Sequence, residues 1–133
     1  MSDRTAVRTE DAFDISAVDA WLRGHVALPP GQPMVEQFRS GASNLTYLLR
    51  YSDRDLVLRR PPHGTKAASA HDMQREVRIQ QALKPFYPQV PTVVASCTDA
   101  SVIGSDFSEE MLDGGYRKKY LRATSRLLAL SQM

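Results

Sequence analysis

A single cysteine, Cys97, in 133 residues excludes an internal disulfide and leaves no thiol cluster to hold a metal. Long hydrophobic runs are missing too: no stretch approaches the ~20 apolar residues that cross a bilayer. The opening MSDRTAVRTEDAF mixes acids with bases and has no apolar core of signal length, so a cytoplasmic location is the expectation. Charge of one sign is scarce, since 17 Lys and Arg face 15 Asp and Glu for a net +2, which argues against general nucleic-acid binding. Arg117, Lys118, Lys119, Arg122 and Arg126 form a local basic ridge, but no aromatic ladder interleaves with it, and a solvated helix face accounts for it. What remains is a chain long enough for one small core, 42% hydrophobic, with no internal repeat and no low-complexity tract.

Along the chain, residues 1–12 read as a flexible arm. Asp14 suits the cap of a helix carrying Ile15, Val18, Leu22 and Val26, with Trp21 beside them. The string LPPGQP, residues 28–33, breaks that helix. FRSGASNLTYLLRY, residues 38–51, reads as two extended segments joined by a turn of Gly41, Ala42, Ser43 and Asn44. Such a turn is either an ordinary hairpin connection or a loop that presses its backbone against phosphates, because glycine permits close approach and Ser43 and Asn44 add a hydroxyl and an amide.

DLVLRR, residues 55–60, has the pattern of a buried strand ending in a cation, stopped by Pro61 and Pro62. SAHDMQREVRIQQALK, residues 69–84, is helix-forming and places Glu76, Ile79 and Leu83 on one face. A carboxylate on an apolar face needs a cation, and Arg59 is the candidate. Two strands are expected at about 92–97 and 101–107, with a hairpin turn CTDAS between them. Cys97 is expected to be a small buried hydrophobe, and Asp99 and Asp106 to bond their own backbone rather than a metal. YRKKYLRATSRLLALSQM, residues 116–133, is helical in composition.

A glycine turn, a strand cation and a helix glutamate occur in this order in the nucleotide-binding lobe of protein-kinase-like folds. The strings FDISAVDAWLRGHV, QFRSGASNLTYLL, LVLRRPP, SAHDMQREVRIQQAL and VPTVVASCTDASVIGSDF resemble the aminoglycoside phosphotransferase and choline-kinase-like family. They most resemble its branch found as a kinase-like domain in some large acyl-CoA dehydrogenases. The resemblance runs from about Phe13 to Phe107. It implies an α+β fold: a protein-kinase-like N-terminal lobe with a curled five-stranded antiparallel sheet, one packed helix, and flanking N- and C-terminal helices. It implies three parts, at 1–12, 13–107 and 108–133, the last a hinge remnant with Glu110 and Met111 followed by a basic amphipathic helix.

By the same resemblance Gly41, Ser43 and Asn44 cover the phosphates of ATP, Arg59 stands where the family usually has a lysine, and Glu76 is its helix partner. Arginine can grip two phosphate oxygens through a planar fork where lysine offers a point charge. A plain strand-to-helix ion pair that supports folding is the competing reading of Arg59 and Glu76. By the same resemblance a His-Gly-Asp type loop supplies the base and is followed by an asparagine and a magnesium-holding aspartate, and no such string occurs at His25, His63 or His71. The expected partners are therefore a nucleotide and a small-molecule hydroxyl, without nucleic acid or membrane, and with a second copy or a complementing lobe where the missing half would dock. The readings open at this point are a phosphotransferase domain incomplete on its own, a non-catalytic nucleotide-binding or interaction module, and an altered gene product without a function of its own.

Overall fold

The computed structural model describes residues 4–38, 45–61, 67–88 and 90–112. The first helix, α1 at Ile15–Arg23, begins as its sequence dictates. The Asp14 carboxylate accepts from the N–H groups of Ser16 and Ala17 at 3.0 and 3.3 Å, satisfying donors that a helix start otherwise leaves orphaned. Val18 and Leu22, four residues apart, then point fully inward. Asp14→Ala is expected to cost about 1 kcal/mol, the usual value of a lost N-cap, read as a lower midpoint in thermal denaturation followed by circular dichroism.

Six strands make one antiparallel sheet: β1 at Arg4–Thr5, β2 at Met34–Phe38, β3 at Leu45–Arg50, β4 at Asp55–Arg60, β5 at Thr92–Cys97 and β6 at Phe107–Leu112. Their order is β1-β2-β3-β4-β6-β5, so β6 lies inside the sheet and β1 and β5 are its open edges. The α+β kinase-like lobe is as expected, with six strands in the sheet rather than five. The addition is β1, paired to β2 through Arg4 opposite Phe38. Behind it, Asp11 is held by Arg8 and Gln37, and its carbonyl accepts from Tyr47 and Arg60, which fastens residues 4–11 to the sheet.

Alternation along β3 and β4 sorts side chains to two faces. Tyr47, Leu49, Tyr51, Leu56 and Leu58 meet Val18 and Leu22 of α1, together with Cys97 and Phe107. Leu48, Val57 and Phe38 form a smaller cluster of their own. The long helix α2, Ala67–Leu83, packs against β5 and β6. Among its described side chains the buried ones are Met73, Glu76, Val77 and Gln80, an i, i+3, i+4, i+7 stripe, while Ile79 and Leu83 are only half-buried. The expected face was thus turned by part of a residue step, with Glu76 common to both.

The expected strand at 101–107 is displaced. Asp99 accepts from the N–H and hydroxyl of Ser101, and Gly104 takes a φ of 87°, the left-handed region that glycine enters freely, so the chain is still turning where extension was expected. β6 starts only at Phe107 and runs through the two glutamates to Leu112. Cys97 is the buried hydrophobe expected, and burial pushes its thiol above the ordinary range. The expected C-terminal helix at 116–133 lies outside the described residues.

Candidate functional site

Arg59 and Arg60 are neighbours in sequence and sit on opposite faces of β4. Arg60 belongs to the α1 side, where its guanidinium lies 5.4 Å from the Phe13 ring centroid and 5.5 Å from that of Tyr47, and bonds the Tyr47 hydroxyl at 3.1 Å. Those contacts tie the N-terminal segment to the sheet. Arg59 turns the other way, beneath α2. Its Nη2 donates to Glu76 Oε2 at 2.8 Å, and its side chain is 2% exposed. The pairing anticipated between strand cation and helix acid is present.

A third group completes it. Arg59 Nη1 donates to Glu110 Oε1 at 3.4 Å, and the same oxygen accepts from Gln80 Nε2 at 3.0 Å. Glu110 is fully buried. The cluster therefore joins β4, α2 and β6 through one guanidinium, two carboxylates and one amide. Ion pairs this deep stay strong in salt because little solvent screens them.

Glu109, next to Glu110, faces the α1 side, since alternation sends consecutive residues of β6 to opposite faces. It stands opposite Leu58 of β4 and Ala95 of β5. Neither of its carboxyl oxygens has a hydrogen-bond partner among the described residues. Burial, reinforced by the charge of Glu110, pushes this carboxyl well above its ordinary value. A β-bulge between Val93 and Ala95 lies against this pair of glutamates and gives β5 one residue more than β6 there. Nearby, burial raises the Tyr51 phenol, and its hydrogen bond to Asp19 adds to the rise. Asp19 shows the opposite balance: burial raises it, but hydrogen bonds from Arg23 and Tyr51 hold it below the ordinary range.

Of the residues singled out in the sequence, Arg59 and Glu76 come together, and Gly41, Ser43 and Asn44 lie outside the described residues. The register still locates the ends of their segment. Leu45 pairs with Arg60 and Thr46 with Arg59, so β3 begins at the end of the sheet where Arg59 stands. Asp99 bonds within its turn, as expected, whereas Asp106 accepts from Gln74 at 3.4 Å. His25 caps back onto the Trp21 carbonyl and stacks on that indole, away from Arg59. Sequence reasoning missed Gln80 and the pairing of Glu110. The i, i+4 relation of Glu76 to Gln80 was the available signal for the first. Among the described residues no three His, Cys, Asp or Glu side chains gather to hold a metal, and no helix is long and apolar enough to cross a membrane.

An antiparallel sheet carrying a strand arginine, paired to a glutamate on the helix packed beside it, defines the N-terminal lobe of a kinase-like phosphotransferase. The chain belongs to the phosphotransferase enzyme family, whose model matches residues 34–121. It is 43% identical over 102 residues to mouse acyl-CoA dehydrogenase family member 10, covering 76% of this chain and 10% of that protein. It is 34% identical over 110 residues to human acyl-CoA dehydrogenase family member 11, covering 80% of this chain and 14% of that one. A crystal structure assigned as an aminoglycoside phosphotransferase from Ralstonia eutropha JMP134 superposes with a TM-score of 0.63 at 33% identity, over 77% of this chain and 29% of that one. The chain thus spans about a tenth to a seventh of the length of these curated relatives.

Proposed function

We propose that this lobe binds the triphosphate of ATP, as the nucleotide-holding part of a phosphotransferase that phosphorylates a small-molecule hydroxyl. The observation that carries the reading is the buried 2.8 Å contact between Arg59 and Glu76, at the end of the sheet where β3 begins. A guanidinium held by a helix carboxylate keeps its fork pre-aimed, and Gly41, Ser43 and Asn44 are the residues assigned to cover the phosphates. ATP, bound with Mg2+, supplies the transferable phosphoryl group. Arg59 orients and partly neutralises it, and the catalytic base and metal aspartate come from outside this 133-residue chain, which has no His-Gly-Asp string. A hydroxy acid or its thioester fits the acyl-CoA dehydrogenase relatives as substrate, and a cytoplasmic location accompanies the reading.

One observation favours a second reading, a binding module without catalysis. Arg59 already faces two carboxylates, which suits a structural ion pair as well as a phosphate site. Thermal denaturation with Mg-ATP and with adenosine separates the readings. The expected result is stabilisation by Mg-ATP that exceeds that by adenosine, about 2.7 kcal/mol at a hundredfold excess over Kd, with no ADP formed. Equal or absent stabilisation by the two ligands would leave only the module.

A further inference from the structure

We propose that Glu109 is a proton-operated latch for α1: its neutral carboxyl lets the helix close over the sheet, and loss of the proton lifts the helix while the strands stay paired. The latch is independent of the nucleotide reading, because it lies on the face of the sheet opposite Arg59.

The position of Glu109 carries the inference. Its side chain shares a face with Phe107 and Met111, two residues to either side along β6, and stands opposite Leu58 and Ala95. Leu58 and Phe107 lie in one apolar cluster with Val18 and Leu22 of α1, and Ala95, Val102 and Ile103 pack against that cluster. The Trp21 ring of α1 meets the Phe107 ring edge-on at 4.9 Å. Glu109 is therefore a carboxyl seated in the layer between α1 and the sheet, without exposure and without a hydrogen-bond partner on either oxygen among the described residues. A neutral carboxyl occupies such a seat at modest cost, whereas an ionised one needs water or a cation.

The cations described around this layer are engaged elsewhere. On α1, Arg23 Nε donates to Asp19 Oδ2 at 3.0 Å and its Nη atoms donate to the carbonyls of Leu28, Pro29 and Gly31. Arg60 of β4 donates to the Tyr47 hydroxyl and the Asp11 carbonyl, and Arg8 is paired with Asp11. His25 stacks on Trp21 and meets its carbonyl. The other titratable groups are acids or proton donors: Tyr51, whose hydroxyl donates to Asp19 at 2.7 Å, the Cys97 thiol of β5, Asp99 and Asp106 in the connection between β5 and β6, and Glu110 on the opposite face of β6. Hydration is then the remaining way to accommodate the charge. Ladders to β4 and β5 hold β6 on both sides, whereas α1 rests on side-chain packing and on the bond between Tyr51 and Asp19. A nine-residue helix has little stability by itself, so lifting it costs less than parting the strands. Because burial holds the closed carboxyl well above its ordinary 4.5, the closed form keeps a proton that the open form releases, and the open fraction rises with pH until the closed form ionises too.

The test is native-state hydrogen exchange of the full chain between pH 5 and 8, followed by NMR and corrected for the intrinsic pH dependence of exchange. The Val18 N–H, which bonds the Asp14 carbonyl at 3.2 Å, is expected to be less protected than the amides of β3 and β4. Its protection is expected to fall by about tenfold per pH unit over part of the range. The fall disappears in Glu109→Gln, and Glu109→Met serves the same comparison if the amide variant fails to fold. It persists in His25→Gln, which lacks the histidine stacked on Trp21. Equal protection of α1 and the strands would overturn the latch, since the helix would then open only with the whole fold. A flat profile in the wild type, a fall that survives in the Glu109 variants, or a fall abolished by His25→Gln would overturn it as well.

Discussion

Replacing Glu109 with methionine is expected to stabilise the fold by about 2 kcal/mol at pH 7, which for a domain of this size raises the melting midpoint by roughly 10 °C. The wild-type side chain lies fully buried between Leu58 and Ala95, and neither carboxyl oxygen finds a partner among the described residues. A buried polar group without a partner forfeits the hydrogen bonds it made to water, and methionine of similar length forfeits none. The gain depends on pH in a defined direction. Because burial, with the charge of Glu110, lifts the folded carboxyl well above its ordinary 4.5, the folded chain holds a proton that the unfolded chain has released at intermediate pH. Wild-type stability therefore falls as pH rises from about 4.5 through the folded value, and this part of the slope disappears in Glu109→Met. Urea denaturation at pH 4, 6 and 8 checks it. A variant that is less stable than wild type, or a difference that stays constant across that range, would contradict the assignment of Glu109 as a buried neutral acid.

The second large effect has the opposite sign. Arg59→Met removes the buried cation that both Glu76 and Glu110 contact. The expected loss is about 3–5 kcal/mol, the usual cost of breaking a buried ion pair by removing one partner, and at that size the variant is unfolded or nearly so at 37 °C. Neutralising the acids as well, in Arg59→Met/Glu76→Leu/Glu110→Gln, is expected to return most of the stability, because the amide introduced at position 110 still accepts from Gln80. The pattern expected from circular dichroism is a collapse in the single variant and recovery in the triple one. Equal stability in wild type and Arg59→Met would mean that the guanidinium compensates nothing. The same reasoning makes Arg59→Ala a poor probe of ligand binding, since loss of fold and loss of contact would look alike.

Much of the site was legible because its two anchors obey simple rules. A strand that ends in a cation and a helix with one acid on its apolar side require each other, and the 2.8 Å contact between Arg59 and Glu76 follows. The cap at Asp14 and the buried runs of β3 and β4 were equally readable, from turn chemistry and apolar clustering. The interior strand β6 was not. FSEEML puts two acids side by side, so Glu110 and Met111 were expected only as a hinge remnant, and only the finished sheet shows both acids buried. Glu110 is tolerated because Arg59 crosses from β4 to meet it, a pairing 51 residues apart in sequence. Glu109 has no such partner among the described residues, so no local rule could have placed it inside.

The boundary error at 101–107 has the same origin in a competing local preference. Val102 and Ile103 invite a strand, but the Asp99 turn and the left-handed Gly104 keep the chain from extending until Phe107. On α2 the buried stripe contains Gln80 because its amide meets Glu110, and a polar residue with a hidden partner gives no hydrophobic signal. The edge strand β1, two residues long, rests on pairing with β2 and on the bonds of Asp11 rather than on any propensity of Arg4 and Thr5.

The central claim is that Arg59 receives the phosphates. Its Nε–H resonance, identified in a 15N spectrum by its disappearance in Arg59→Lys, reports that contact directly. On titration with Mg-ATP the account predicts that this resonance moves in a saturable way while adenosine leaves it in place. A resonance that stays fixed when the rest of the spectrum shows Mg-ATP bound would place the nucleotide elsewhere and contradict the account.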